Sequence, residues 1–448
     1  MKAEQNKLDR RSFLKDVTAT TALGAIGLGT LMQSCTSSSS TESKTLTFLD
    51  KAPDGKALKI GLIGCGSRGT GALTNFLNSC QGIEITALAD VFEDKLIRCR
   101  RELSGKLNIN IPDEHCFIGF DAYMKLLETD VDLVVLATPP YFRSSHFDAA
   151  VQAKKHVFME KPVAVDPVGA RAVIVAARKA ESLGLKIGVG TQRRHQRDYL
   201  TTLEYIKVGA IGDIISANCY WNQGALWYAE PQPGWNEMES MLRNWTNWCW
   251  LSGDHIVEQH LHNIDVINWF SGKLPVKAVG FGSRQRRISG DQYDNFSIDF
   301  VYDNGIHLHS MCRQINGCAN NVSEYIAGTK GRTNCKNKIE DLKGNVIWQY
   351  DYSKEVAGAP ANSETLKVGP YDQEVIDLVA AIRNNTPYSE AEESAKSALV
   401  AIMGRMSAYT GKEVTFDEVM NSELKLGPDT INIGTVNYKT IIHVPGTI

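Results

Sequence analysis

The sequence is poor in three things, and each shortage excludes something. Its ten cysteines are scattered through 448 residues with no C-x-x-C pair. That spacing supports neither a structural zinc site nor a small disulfide scaffold, and isolated disulfides stay open only if the chain is exported. Its 48 basic and 51 acidic residues leave a formal net charge of −3, so no general electrostatic attraction favours nucleic acid. A long apolar run is also lacking. The Ala/Gly-rich stretch Val17–Leu31 covers about 15 residues, short of the ~20 a membrane-spanning helix needs. What is present is bulk: 448 residues at 43% hydrophobic content can bury a large core and should form at least two domains.

The short apolar stretch suits the h-region of a signal. Asp9-Arg10-Arg11-Ser12-Phe13-Leu14-Lys15 precedes it and resembles the twin-arginine export motif. A cytosolic amphipathic helix is the bland alternative, but the segment is apolar on all sides. Leu31-Met32-Gln33-Ser34-Cys35 and the serines that follow resemble a lipoprotein signal cleaved before Cys35. Residues 1–35 are therefore expected to be a signal and 36–57 a flexible tether. The expected location is the periplasm or cell envelope, with a lipid anchor at Cys35.

After the tether, the folded part is expected to open on Lys59-Ile60-Gly61-Leu62-Ile63-Gly64-Cys65-Gly66-Ser67-Arg68-Gly69. This reads as a buried strand, a glycine turn and a helix start, with the G-x-G-x-x-G spacing of a dinucleotide loop. Gly64 permits the turn, Gly66 lets backbone approach a pyrophosphate, and Gly69 lets helix pack on strand. Ser67 and Arg68 belong to the helix start, whose free N–H groups face the anion. Asp90 ends the next strand, Ile83–Asp90, 21 residues after Gly69. A carboxylate there suits ribose hydroxyls and repels a 2′-phosphate, favouring NAD over NADP. It can equally cap the next helix.

Val131–Pro140 is a continuous apolar strand suited to a sheet covered on both faces. Its end, Thr138-Pro139-Pro140, falls where open α/β sheets bind ligands. His146, on the following helix, stays open between a surface histidine and a cofactor contact. His156–Val165 ends another strand with Glu160-Lys161-Pro162. A lysine after a buried strand is a candidate acid/base or hydroxyl-polarising group, and its bond to Pro162 can be cis.

The glycine fingerprint, Asp90, the Ala-Thr-Pro-Pro strand end and Glu160-Lys161-Pro162 together resemble the Gfo/Idh/MocA oxidoreductases over about residues 58–425. The resemblance implies an α/β fold, with an NAD-binding Rossmann domain (58–185) ahead of an α+β domain (186–426). The second domain would carry a large, open, mainly antiparallel sheet. A tail, 427–448, lies outside it. The resemblance also implies that Lys161 sits beside the nicotinamide and the reacting hydroxyl.

In the second domain, Leu185–Arg194 reads as a strand leading out of the first, with Arg193 and His195 facing the cleft. Asp213–Trp221, Val276–Ser283, Phe296–Tyr302 and Ile306–Arg313 alternate with period two, the mark of an antiparallel sheet with one solvated face. Gln373–Arg383 and Ser389–Tyr409 are amphipathic helices expected to pack back on the first domain, the second capped by Ser389. Six of the eight tryptophans fall between 221 and 250. Core packing accounts for some of them. Trp227, in the Gly/Pro-rich stretch 224–236, is expected in a loop over the cleft, where its face could stack on a sugar.

The most informative stretch is Gly253–Asp265. With Asp254 as cap and Gly272 and Pro275 marking the end, one helix is expected. At about 100° per residue, His255, Glu258, His262 and Asp265 share a face and His260 points away. Glu258 and His262, four apart, can hydrogen-bond, which would raise the pKa of His262. Family members usually have Asp-x-Gly-x-His-x-x-Asp here, their Asp and His completing a Lys–Asp–His site. The match places Glu258, His262 and Asp265 on that pattern, with Glu in place of Asp and His260 in place of Gly. No metal is needed, although His255, Glu258 and His262 could compete as a ligand set.

The expected chemistry is oxidation or reduction of a secondary hydroxyl or keto group of a sugar, glycoside or polyol. His262 serves as base, Glu258 orients it and Lys161 stabilises the oxygen. Arg193, His195, Trp227, His255 and Asp265 are the candidate substrate residues. An exported enzyme lacks a pool of free NAD, so the cofactor must travel with it and stay bound. The alternatives are a redox-neutral NAD-dependent glycosidase and a non-catalytic glycan-binding lipoprotein. In the glycosidase, oxidation at C3 acidifies the C2 proton and permits elimination at C1. An exposed sheet face also suggests a homo-oligomer.

Overall fold

The computed structural model describes residues 46–356 and 363–447. Arg10, Arg11, Cys35 and residues 36–45 of the tether lie outside the described residues. Among the described residues no helix is long and apolar enough to cross a membrane, and none of the nine described cysteines forms a disulfide.

Six parallel strands make the first sheet: β1 (Leu58–Ile63), β2 (Ile83–Asp90), β3 (Cys116–Ile118), β4 (Leu133–Leu136), β5 (His156–Met159) and β6 (Ile187–Val189). Their order is β3-β2-β1-β4-β5-β6, so the chain reverses direction across the sheet between β1 and β4. That switch point opens a crevice at the carboxyl ends of the strands. The run Leu133-Val134-Val135-Leu136 is fully buried, because helices cover both faces. They are α1 (Ser67–Ser79), α2 (Glu93–Leu107), α3 (Ala122–Leu127), α4 (Arg143–Gln152) and α5 (Pro167–Ser182).

One boundary moves. The strand expected to lead out of the first domain is instead its last strand. β6 pairs with β5 at Val157–Ile187 and Met159–Val189, so the sheet continues past the boundary expected at 185.

After α6 (Arg197–Lys207), a nine-stranded, mainly antiparallel sheet follows. Its strands are β7 (Ile214–Gln223), β8 (Lys277–Ser283), β9 (Asn295–Val301), β10 (His307–Gln314), β11 (Asn321–Gly328), β12 (Gly331–Thr333), β13 (Lys338–Asp341), β14 (Val346–Gln349) and β15 (Val414–Thr415). β7 and β10 form its parallel pair. The expected alternation is present: Phe296, Ile298 and Phe300 are buried, while Val279, Phe281 and Tyr325 on other strands are exposed.

Between β7 and β8 lie α7 (Glu237–Arg243), α8 (Cys249–Ser252), α9 (His255–Glu258) and α10 (Leu261–Ser271). Asp254 caps α9, accepting the His255 N–H at 2.5 Å, and Gly272 ends α10 at φ 63°. The expected single helix is broken, however. The His260 N–H bonds the His255 carbonyl five residues back, which widens the turn at Gln259–His260 and rotates α10 relative to α9.

The closing helices are α11 (Pro370–Arg383), α12 (Ala391–Thr410) and α13 (Phe416–Asn421). α11 returns to the first domain, with Asn75 donating to Asp372 at 2.7 Å. α12 packs between α5 and β8. Ser389 is not its cap: Glu390 holds that position, and the Ser389 hydroxyl has no partner. The Ser389 backbone instead bridges Ile187 of β6. The tail beyond 426 is folded onto the protein, with Val436 buried against Met238, Met241 and Trp250.

Candidate active site

The glycine loop joins β1 to α1 at the crevice. Gly64 has φ +102°, and a Cβ there would lie 2.6 Å from the Ala137 backbone, so only glycine fits. A Cβ on Gly69 would come within 2.1 Å of the Gly64 carbonyl oxygen, whereas one on Gly66 would meet nothing within 4 Å. The loop is thus closed towards the protein and open outward at Gly66. Helix α1 starts there with no side-chain cap and no acidic residue in its first turn. Its leading N–H groups therefore remain for an anion.

Asp90 ends β2 and accepts N–H groups from Cys65 at 2.6 Å and Phe92 at 2.8 Å. Asp90 is not the cap of α2, whose N-cap is Phe92 with no side-chain hydrogen bond. One Asp90 oxygen steadies the loop and the other holds the Phe92 N–H, while each retains a lone pair for a ribose hydroxyl. These features fit a bound dinucleotide. The Arg68 side chain turns to carboxylates of the chain itself. Its guanidinium pairs with Glu160 at 2.5 Å and Glu374 at 3.0 Å and lies 4.5 Å from the Tyr371 ring. Glu160 is accordingly tied to Arg68, and Ser67 accepts from Arg98 at 3.4 Å.

At the end of β4, Thr138 and Pro139 turn into the crevice. His146 is buried between the rings of Tyr123 and Phe142, with its Nδ1 at 3.3 Å from the Thr138 hydroxyl. Burial takes its pKa down to about 3. It stands as a neutral buttress behind Thr138. Arg143 carries no motif that marks it in the sequence. Its buried guanidinium donates to the Pro162 carbonyl at 2.7 Å and to the Thr138 carbonyl. It thereby fixes two strand ends against each other. The Lys161–Pro162 bond is cis.

Lys161 meets the second domain here. Its ammonium donates to the Glu258 carboxylate at 3.0 Å and to the Glu258 backbone carbonyl. His262, one turn on, has its ring 5.7 Å from Trp221 in a stacked arrangement. Two expectations fail. Glu258 grips Lys161 rather than His262, because the break after α9 redirects it. The pKa of His262 is also not raised: burial, then the charges of Lys161, Arg193 and Arg68, hold it well below the ordinary value of 6.5. His262 is thus a neutral imidazole at pH 7. Glu258 Oε2 and Trp221 Nε1 are buried without hydrogen-bond partners. Unsatisfied groups of this kind in a cleft call for a ligand.

Of the five candidate substrate residues, Arg193 stays near this cluster, pairing with Glu324 and lying 5.4 Å from the Trp221 ring. Trp227 is exposed and packs edge-on to Trp245 at 6.0 Å. The other three are committed elsewhere. His195 is clamped between Asp377 at 2.7 Å and Glu390 at 2.8 Å. His255 bonds Asp254 at 3.0 Å. Asp265 accepts two hydrogen bonds from the Arg194 guanidinium, at 2.8 and 2.7 Å, and a third from the Ser397 hydroxyl. With His255 turned to Asp254, the rival metal ligand set is dispersed. Among the described residues no group of three or more His, Cys, Asp or Glu is placed to hold a metal ion. His260 faces the sheet, bonding Ser310 at 2.7 Å. Beside Glu258, Gln259 accepts from Gln223 and Gln314, both at 2.8 Å. This amide cluster was not foreseen, since its members come from three separate elements.

A Rossmann crevice whose own lysine meets a histidine brought in by a second sheet domain defines a dinucleotide-dependent oxidoreductase. Residues 58–189 match the NAD-binding Rossmann model of the Gfo/Idh/MocA oxidoreductase family, and residues 204–416 match its carboxyl-terminal α/β domain. The chain belongs to this family, and its cofactor is NAD. A glycosyl hydrolase family 109 protein of Solibacter usitatus is 27% identical over 351 residues, covering 73% of this chain and 74% of that one. An inositol 2-dehydrogenase of Acidothermus cellulolyticus is 28% identical over 53% of this chain and 61% of its own. The fold is shared with scyllo-inositol dehydrogenase of Lactobacillus casei, solved with NAD(H) and scyllo-inositol. That match has a TM-score of 0.59 at 22% identity and covers 81% of this chain and all of the other.

Proposed function

We propose that the protein oxidises or reduces a secondary hydroxyl or keto group of a sugar, glycoside or polyol. The observation that carries this is the meeting of the Lys161 ammonium, the unpartnered Glu258 Oε2 and neutral His262 at the crevice. Bound NAD supplies the hydride acceptor. His262, already deprotonated, takes the hydroxyl proton. Lys161, held by Glu258, donates to the same oxygen and stabilises its developing negative charge. The free Glu258 oxygen and the Trp221 N–H offer hydrogen bonds to neighbouring hydroxyls.

A second outcome is favoured by the family 109 relative, which aligns over nearly three quarters of both chains. In that case the oxidised sugar loses its C2 proton and C1 substituent, water adds at C1, and the ketone is reduced again by the NADH formed. Incubation with aryl glycosides separates the two: phenol release marks cleavage, and an accumulating keto-sugar marks the dehydrogenase. Neither product from a broad set of glycosides and polyols would overturn both and leave glycan binding. We further propose that the protein works in the cell envelope after twin-arginine export with its NAD retained, and that it self-associates through the exposed face carrying Phe281 and Tyr325. Fractionation of cells and light scattering test these points.

A further inference from the structure

The adenosine end of a Rossmann site lies at the carboxyl ends of β1 and β2, beside the acid that takes the ribose. Here the second domain reaches across to that end. Arg243, the last residue of α7, donates to both carboxylate oxygens of Asp94, at 3.0 and 2.8 Å. Asp94 sits in the first turn of α2, just beyond Asp90. The guanidinium also lies 4.0 Å from the Phe92 ring centre and 4.9 Å from that of Trp235, and its Nε donates to Glu239 at 2.9 Å. The tail backs this contact from outside. The Met238 N–H bonds the Gly434 carbonyl at 3.0 Å, and the Val436 N–H bonds Glu237 at 2.8 Å. The family model ends at 416, so this outer support lies beyond the matched region.

We propose that this seam latches the cofactor site: the Arg243–Asp94 pair ties the second domain over the adenosine end of bound NAD and sets its rate of release. The physical reason is connectivity. Asp94 is rigidly joined through the start of α2 to Asp90 and Phe92. A dinucleotide leaving past that edge must part it from α7, which breaks a bidentate charge-assisted pair and a cation–π contact together. The latch deepens the proposal of a retained cofactor and rests on NAD occupying the Rossmann site.

The test uses the full chain loaded with NADH. Excess NAD is added and the loss of tryptophan-to-NADH energy transfer gives the release rate. Asp94→Asn and Arg243→Ala should each speed release by about tenfold or more, and the exchange Asp94→Arg with Arg243→Asp should restore slow release. Added salt should speed release from the wild type and leave Asp94→Asn unchanged, which a purely structural contact would not produce. The Asp94 side chain is 58% exposed, so its amide variant should fold, and a matching thermal transition checks this. If wild type loads NADH but both single variants release it at the wild-type rate, the latch is overturned and the cofactor assignment stands. Fast release without rescue by the exchange overturns the pairing. Failure of wild type to take up any nicotinamide overturns both.

Discussion

His262 and His195 are about equally buried, at 6% and 5% exposure, yet they are driven to opposite protonation states. Around His195, Glu390 and Asp377 outweigh the cost of burial and lift its pKa well above the usual 6.5. Around His262, burial and three cations push the same way, downward. His195 is a cation with both ring nitrogens bonded to carboxylates. It joins α11 and the start of α12 beside β6, and nothing is left over for a substrate. His262 is neutral and its neighbours Glu258 and Trp221 keep buried atoms unsatisfied. Burial alone does not distinguish a catalytic group from a structural one. The saturation of its partners does.

Substitution can push this contrast to breaking. Lys161→Ala and His262→Ala should each lower turnover by about 10²- to 10⁴-fold; His262→Ala should unfold close to wild type, while Lys161→Ala, which strips Glu258 of its cation, should be less stable yet folded. Wild-type turnover in either would remove it from the site. His195→Ala should do the reverse. Leaving two partly buried carboxylates without their cation should cost about 1–3 kcal/mol of stability, measured by urea unfolding, while turnover per folded molecule changes little.

The glycine loop offers a smaller contrast of the same kind. Gly69→Ala presses a methyl onto the Gly64 carbonyl and should destabilise by about 1–3 kcal/mol. Gly66→Ala meets only open space, so it should fold normally and weaken NAD binding in a fluorescence titration.

The smallest effects are in pH dependence, and their signs differ. His195 has a raised folded pKa, so its stabilisation is complete below about 6.5 and fades as pH rises through the elevated value. Urea unfolding across the alkaline range should show this slope in wild type and not in His195→Gln. His262 has a lowered pKa, so kcat/KM should stay level down through pH 6.5 and fall only in more acid solution. An acid limb centred above 6.5 would contradict its role as the base.

Much of the fold was legible because it depends on short-range pattern. The buried runs of β1, β2 and β4 and the alternation in β7 to β10 follow from which faces are covered, and each strand carries that record in its own residues. The loop glycines were legible too, since a left-handed φ or a close backbone approach leaves glycine as the fitting choice. Ser389 and the supposed single helix at 254–272 were misread for a different reason. A β-bridge to Ile187 took the serine's backbone, and the widened turn at His260 is set by packing against Ser310 and Cys219. His195 and Asp265 looked like site residues because a polar residue near a strand end reads the same whether its partner is a substrate or another chain segment.

The sequence by itself determined the family, the dinucleotide loop with Asp90 at the neighbouring strand end, and the identities of Lys161, Glu258 and His262. Local sterics and motif order carry that information. Only the tertiary structure decided how they are used. It set Glu258 on Lys161, kept His262 neutral among cations, and turned Arg68 away towards Glu160 and Glu374. It also carried α7 and the tail across to Asp94. These pairings join residues far apart in the chain, and a charge's state depends on every charge packed around it.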